Sequence, residues 1–254
     1  MTNSNFFGSG KTYLLIHGAW HGAWCWHKVI PLLEAGGHRA IALDLPAHGA
    51  RTEPASTVCL EDYVDAVVHL TREQEGPVIL VGHSMAGIVI SQAAEKIGPK
   101  KIAALIYLDA FLPRDGDSLF SLVEATLKQL PPGTDGHPTL VEGILTAEDH
   151  QTNFVNPALA AGLFYHDCSR EDQQFAVARL SSEPIAPLAT PLRLTEERYG
   201  VVPKYFILCT QSKDMDKTFL STRVPCKKVY KLAGGHSPFL SMPESLVKIL
   251  TEIE

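Results

Sequence analysis

The hexapeptide Gly82-His83-Ser84-Met85-Ala86-Gly87, directly after the apolar run Pro77-Val78-Ile79-Leu80-Val81, constrains this chain more than any other stretch. A buried strand that turns into a helix through a serine held between small residues forces that serine into a tight, strained turn and lifts its hydroxyl above the sheet. Larger side chains at Gly82 and Ala86 would collide with the neighbouring strand and helix, although Ala86 stands where such turns usually carry glycine. Taken alone, the hexapeptide has two readings. It is either a nucleophile elbow that presents Ser84 to a carbonyl, or a glycine-rich strand-to-helix turn with a serine N-cap.

The partners of the serine decide between them. A serine hydroxyl needs a base to take its proton, and a suitable histidine should lie later in the chain near the C-terminal edge of the sheet. His236 has that position. It follows the strand-like Lys228-Val229-Tyr230-Lys231-Leu232 and precedes a last amphipathic stretch, Pro243 to Ile253. The oxyanion formed in such an attack needs two fixed N–H donors. One is expected from Met85, and the other from Ala19 in the loop that starts His17-Gly18-Ala19-Trp20 after the strand Thr12 to Ile16. Trp24 and Trp26, in the same loop, read as packing residues.

The segment His17-Gly18-Ala19-Trp20-His21-Gly22-Ala23-Trp24-Cys25-Trp26, the elbow, the strand end Tyr107-Leu108-Asp109-Ala110-Phe111-Leu112-Pro113, the run Phe164 to Ser169 and the strand Tyr205 to Gln211 occur in that order. Together they resemble the plant methylesterase and hydroxynitrile lyase branch of the α/β-hydrolases and its bacterial esterase relatives. The resemblance runs from about Tyr13 to the C-terminus. It implies a mostly parallel sheet of six strands in the order 4-3-5-6-7-8 of that fold's strand names, with helices on both faces.

The resemblance also implies a third catalytic residue, an acid that orients the histidine and stabilises its cation. In this branch the acid follows the strand that here ends Cys209-Thr210-Gln211, and this chain has Ser212 at that point. Two carboxylates are placed to replace it. Asp109 closes the preceding strand, Ala103 to Leu108, and is favoured because a strand end is rigid. Asp214, two residues further along the same loop as Ser212, is the second candidate. A third possibility is water in place of an acid, or no acid at all, with Asp109 a buried structural residue.

Strand-like and amphipathic runs alternate up to Asp109 and resume at Lys204, which is the pattern of parallel strands joined by helical crossovers. Helices are expected near Trp24 to Ala35, Leu60 to Arg72 and Ser84 to Ile97. Between Phe111 and about Arg198 the alternation stops. Helical stretches at Ser118 to Leu130, Pro157 to Leu163 and Arg170 to Arg179, with many prolines, predict a helical cap inserted after strand 6. The expected division is a core of residues 1–111 and 199–254 carrying a cap of residues 112–198. Leu119, Phe120, Val123, Leu127, Phe154, Leu163 and Phe164 are expected mostly to form the cap's own core, with some facing a pocket.

With 254 residues, 45% hydrophobic and 20% charged, the chain has ample material for a large α/β domain. A net charge of −6 without a Lys/Arg cluster argues against nucleic acid or an anionic membrane as partner. The first eleven residues lack a basic region followed by a long apolar one, so no signal peptide is read there. The five cysteines are scattered and odd in number, which fits reduced thiols and a cytoplasmic location. No compact metal-ligand spacing occurs; His17 and His21 are four apart but share a glycine-containing loop. No metal and no cofactor are expected, and a homodimer is left open.

These observations predict a serine hydrolase that cleaves carboxylic esters of small apolar or aromatic substrates through an acyl-enzyme. The resemblance also leaves room for a hydroxynitrile lyase, although one lyase lineage needs a hydroxyl residue at the Ala19 position and a lysine at the Ser237 position. An acyltransferase or cyclase is open on the same scaffold, and so is a non-catalytic ligand-binding module.

Overall fold

The computed structural model describes residues 10–129 and 140–253. Six strands form the main sheet: β1 (Thr12–Ile16), β2 (Arg39–Leu43), β3 (Val78–His83), β4 (Ile102–Leu108), and, after three short strands outside this sheet, β8 (Lys204–Cys209) and β9 (Lys228–Leu232). Their order is β2-β1-β3-β4-β8-β9 and every pairing is parallel. This is the expected order.

The residues explain which strands are central. β3 and β8 are buried at every position, as strands covered on both faces must be, and apart from Gly82-His83 at the end of β3 and Lys204 at the start of β8 their residues are apolar or aromatic. β9 at the edge exposes Lys228, Val229 and Lys231. Burying one Val, Leu or Ile side chain in such a sheet contributes about 1.5–3 kcal/mol. Helices Leu60–Arg72 and Ala86–Ile97 pack against each other, as do Val29–Ala35 and Pro243–Glu252. The expected helix from Trp24 is shorter than its pattern suggested: a 3-10 turn covers Ala23–Trp26 and the α-helix starts at Val29.

The insertion between β4 and β8 differs from a purely helical cap. It holds a three-stranded antiparallel sheet of β5 (Ile144–Thr146), β6 (Thr152–Val155) and β7 (Glu183–Pro184). Strands of two to four residues, one ending in proline, are too short to show a period-two pattern. The hairpin between β5 and β6 is closed by Asp149, whose carboxylate accepts hydrogen bonds from the amides of Gln151 and Thr152. Cap helices Leu119–Leu127, Pro157–Phe164 and Arg170–Val177 each begin at a capping side chain, Ser118, Asn156 and Ser169 respectively. The expected end of the first of these, Leu130, lies outside the described residues. No helix among the described residues is long and apolar enough to cross a membrane.

Candidate active site

Because all six strands are parallel, the loops after β1, β3, β4, β8 and β9 share one edge of the sheet, and every candidate residue lies on one of them. Ser84 is the hinge between β3 and the following helix, with φ of 52°. Its amide donates to Leu108 O at 3.2 Å, and its carbonyl accepts from the amides of Gly87 and Phe111 at 3.1 Å each. These bonds hold a conformation that costs on the order of 1–3 kcal/mol for a non-glycine residue. A Cβ on Gly82 would come within 2.8 Å of Ala86 O, and one on Gly87 would run into the Phe111 carbonyl, so the small residues are required by the turn itself.

The loop after β1 approaches Ser84 closely. A Cβ on Gly18 would sit 2.9 Å from Ser84 Cβ and 2.9 Å from His83 Nδ1, which only glycine avoids. His21 fixes the loop from behind: its Nδ1–H donates to Ala19 O at 2.7 Å, and Tyr165 OH donates to its Nε2 at 2.7 Å. Burial lowers the His21 pKa to about 3, so this ring is neutral and can hold both bonds at ordinary pH. Ala19 and Met85 are buried, yet neither amide N–H has an acceptor among the described residues. Buried backbone donors are almost always paired, so two orphans beside one serine hydroxyl form a ready anion site. Met85 also opens the N-terminal end of a helix, whose dipole favours negative charge.

Ser84 opens on a cavity of about 330 Å³ between sheet and cap. Leu119, Phe120 and Val123 reach it from the cap together with Leu140, Ile185 and Leu188. The rest of the cap residues named from the sequence lie elsewhere: Leu163 and Phe164 are buried, Leu127 packs against the core, and Phe154 is 38% exposed. Trp24 packs on Phe175 and Trp26 is fully buried against Phe239, as packing residues.

His236 is held on the loop after β9. His83 Nε2–H donates to the His236 carbonyl at 2.9 Å, the two rings pack at 4.5 Å between centroids, and the Gly235 amide donates to Asp167 at 2.7 Å. Its Nδ1–H donates to Asp109 Oδ2 at 2.9 Å. This bond assigns the proton to Nδ1 and leaves Nε2 as the basic nitrogen. Ser84 Oγ makes no hydrogen bond to a described residue, His236 included. The ring and the hydroxyl are neighbours through His83 without being bonded to each other.

The structure brings both candidate carboxylates to His236. Asp214 Oδ1 lies 3.3 Å from Nδ1, and Asp214 and Asp109 are both fully withdrawn from solvent. Asp109 has φ of 42° at the end of β4, Cys209 N donates to its Oδ1 at 3.2 Å, and Ser212 Oγ donates to its Oδ2 at 2.8 Å. Ser212 therefore contacts Asp109 rather than the imidazole. Between the carboxylates stands Lys217, whose Nζ is 2.6 Å from Asp214 Oδ2, 3.2 Å from Asp109 Oδ2 and 3.5 Å from His236 Nδ1. Asp109, Asp214 and His236 are grouped closely enough to offer three ligand atoms to a metal ion, but an ammonium already occupies the space among them. Desolvation opposes the charge on Lys217, and Asp109 and Asp214 outweigh it and raise its pKa. Burial likewise opposes ionisation of Asp109, and Lys217, then His236 and Ser212, bring its carboxyl below the usual range.

Sequence reasoning missed two residues of this region. Lys217 lies in the charged run Lys213-Asp214-Met215-Asp216-Lys217, where nothing in the sequence singles it out. Glu183 carries a buried carboxylate from the cap to the first loop: it accepts from Trp20 N at 3.1 Å, His48 Nε2 at 2.9 Å and Tyr63 OH at 2.9 Å. Trp20, at φ of 63°, also donates its indole N–H to Asn153 of β6 at 2.7 Å. A glutamate beside a proline gives no such signal in sequence.

A model of the alpha/beta hydrolase family matches residues 13–249. Salicylic acid-binding protein 2 of Nicotiana tabacum is 34% identical over 254 residues, covering 96% of this chain and 97% of that protein. The α-hydroxynitrile lyase of Arabidopsis thaliana is 31% identical, covering 95% of this chain and 96% of its own length. Among solved structures, polyneuridine aldehyde esterase superposes with a TM-score of 0.86 at 25% identity, covering 96% of this chain and 99% of that one. A match that runs from β1 into the last helix, and so includes every loop that carries the site, means that this chain belongs to the α/β-hydrolase family.

Proposed function

We propose that the protein is a serine hydrolase that cleaves carboxylic esters of small apolar or aromatic substrates through an acyl-enzyme. The observation that carries this reading is the pair of amides, Ala19 and Met85, that have no acceptor among the described residues, beside a strained serine hydroxyl in a mostly apolar cavity. Such a cavity takes an ester with little polarity beyond the reacting group.

His236 Nε2 removes the Ser84 proton while Ser84 Oγ bonds to the ester carbonyl carbon, and the amides of Ala19 and Met85 hold the oxyanion. The tetrahedral adduct collapses, the carbon–alkoxide bond breaks, and the imidazolium returns its proton to the leaving alcohol. Water then repeats the cycle on the acyl-enzyme and releases the carboxylic acid. The Ser84–His236 hydrogen bond closes when substrate fills the cavity, since such bonds are often long in unliganded enzymes. Asp109 serves as the acid that orients and stabilises the imidazolium. No cofactor enters these steps.

The working division is a core of residues 1–111 and 199–254 that holds the catalytic groups and a cap of residues 112–198 that selects the substrate. The five free cysteines fit a reducing compartment such as the cytoplasm. The lyase reading is less favoured. Position 237 is serine, and the lysine that does approach His236, Lys217, lies on the Nδ1 side and is absent from the cavity lining.

Turnover of a panel of methyl and aryl esters beside mandelonitrile tests the reading. Ester hydrolysis without mandelonitrile cleavage is expected; mandelonitrile cleavage without ester hydrolysis would replace it with the lyase.

A further inference from the structure

Two buried carboxylates beside one imidazole are an unusual arrangement. An acid of this kind stabilises an imidazolium with one negative charge, and here a second carboxylate, its Oδ1 3.3 Å from the same Nδ1, adds a like charge behind the ring. Lys217 removes the conflict. It is fully buried, it sits closer to Asp214 than to Asp109, and it makes no contact with the cavity that Ser84 faces.

We propose that Lys217 is a positioning residue for the relocated acid: paired with Asp214, it cancels one of the two negative charges behind His236 and holds Asp109 Oδ2 against Nδ1. The inference rests on the hydrolase reading above for its kinetic consequences, while its structural content is independent of any substrate. The charges make the argument. With both carboxylates and the ammonium present, the group behind the ring sums to −1, the same as a single aspartate. Without Lys217 it sums to −2, and without Asp214 it sums to zero. Neither leaves the imidazolium in the field that catalysis needs.

The geometry supplies the rest. Asp109 Oδ2 receives Ser212 Oγ at 2.8 Å, His236 Nδ1 at 2.9 Å and Lys217 Nζ at 3.2 Å, so one oxygen is fixed by three donors. Lys217 in turn is aimed by Asp214 at 2.6 Å and by the Met215 carbonyl at 3.5 Å. Ser212, where the branch places its acid, has become a donor to the carboxylate that replaces it. Ser212, Asp214 and Lys217 on one loop thus serve Asp109 on the neighbouring strand.

The test compares Asp214→Asn, Lys217→Met and the double variant, with hydrolysis of p-nitrophenyl acetate and the low-field proton resonance of the His236 Nδ1–H as readouts. Each single variant is expected to lose at least tenfold in kcat, with KM changed less than threefold. The double variant, which restores the −1 sum, is expected to recover most of that loss. A purely structural role predicts instead that the two losses multiply. If Lys217→Met does not fold, the double variant must still exceed Asp214→Asn. The resonance is read without substrate, so it reports on the proposal even if no ester is turned over: it should persist in Asp214→Asn and vanish in Asp109→Asn. A double variant no better than Asp214→Asn, or a resonance lost in Asp214→Asn and kept in Asp109→Asn, would overturn the assignment.

Discussion

Two loops on the same sheet edge prepare the candidate site by opposite means. The loop of residues 17–26 is shaped by backbone: glycine at 18, a left-handed Trp20, and a neutral His21 that locks the Ala19 carbonyl. The loop of residues 209–219 is shaped by charge, through Ser212 and Lys217 donating to a carboxylate from another strand while Asp214 pairs with Lys217. Backbone shape depends on which small residues stand at which positions, and it resists substitution. Charge can be supplied from any nearby element, so the carboxylate beside the imidazole need not stand on the loop that carries Ser212.

The sharpest way to break this contrast is on the charged side. Asp109→Asn should lower ester turnover by about three to four orders of magnitude with the fold intact, because the wrong tautomer of His236 is then favoured. Asp214→Asn should cost far less, on the order of tenfold, from the change in local charge. Steady-state kinetics of both variants decide the matter: the reverse ranking would make Asp214 the acid. On the backbone side, Gly18→Ala should cost roughly a hundredfold in kcat by displacing Ser84 or the Ala19 amide. Its signature is slower acylation without a change in pH profile.

That difference also explains what the sequence made legible. The elbow, the Gly18 loop and the six-strand order were readable because each rests on local steric requirements at fixed positions. Asp109 was readable as a strand-end carboxylate placed to reach His236 once Ser212 was seen at the position of the usual acid. Lys217 was not, because its contacts with Asp109 and His236 join residues distant in sequence. The cap strands were missed for a different reason: they are too short for periodicity, and Glu183 is recognisable only once β7 has carried it over Trp20, His48 and Tyr63.

Smaller effects sharpen the account of the first loop. Glu183→Gln should destabilise the protein by about 1.5–3 kcal/mol in urea unfolding, the usual size for hydrogen bonds to a buried charge. The His48 ring is disfavoured as a cation by burial, but Glu183 more than compensates and raises its pKa. Stability from that pair is therefore full below the unfolded value of about 6.5 and is lost as pH rises through the higher folded value. The cost of Glu183→Gln should accordingly be greater at pH 6 than at pH 9. His21 has the opposite sign. With its pKa lowered by burial to about 3, it resists a proton that the unfolded chain accepts, so stability falls as pH drops from about 6.5 towards 3. Thermal unfolding across that range should show a shallower decline in His21→Gln.

The central claim is that His236 activates Ser84 for attack. Reaction with a fluorophosphonate, followed by peptide mass spectrometry, tests it most directly. The account predicts one adduct, on Ser84, formed rapidly in the parent protein and at least a thousandfold more slowly in His236→Ala. No adduct in the parent, or equal labelling rates in the two proteins, would contradict it.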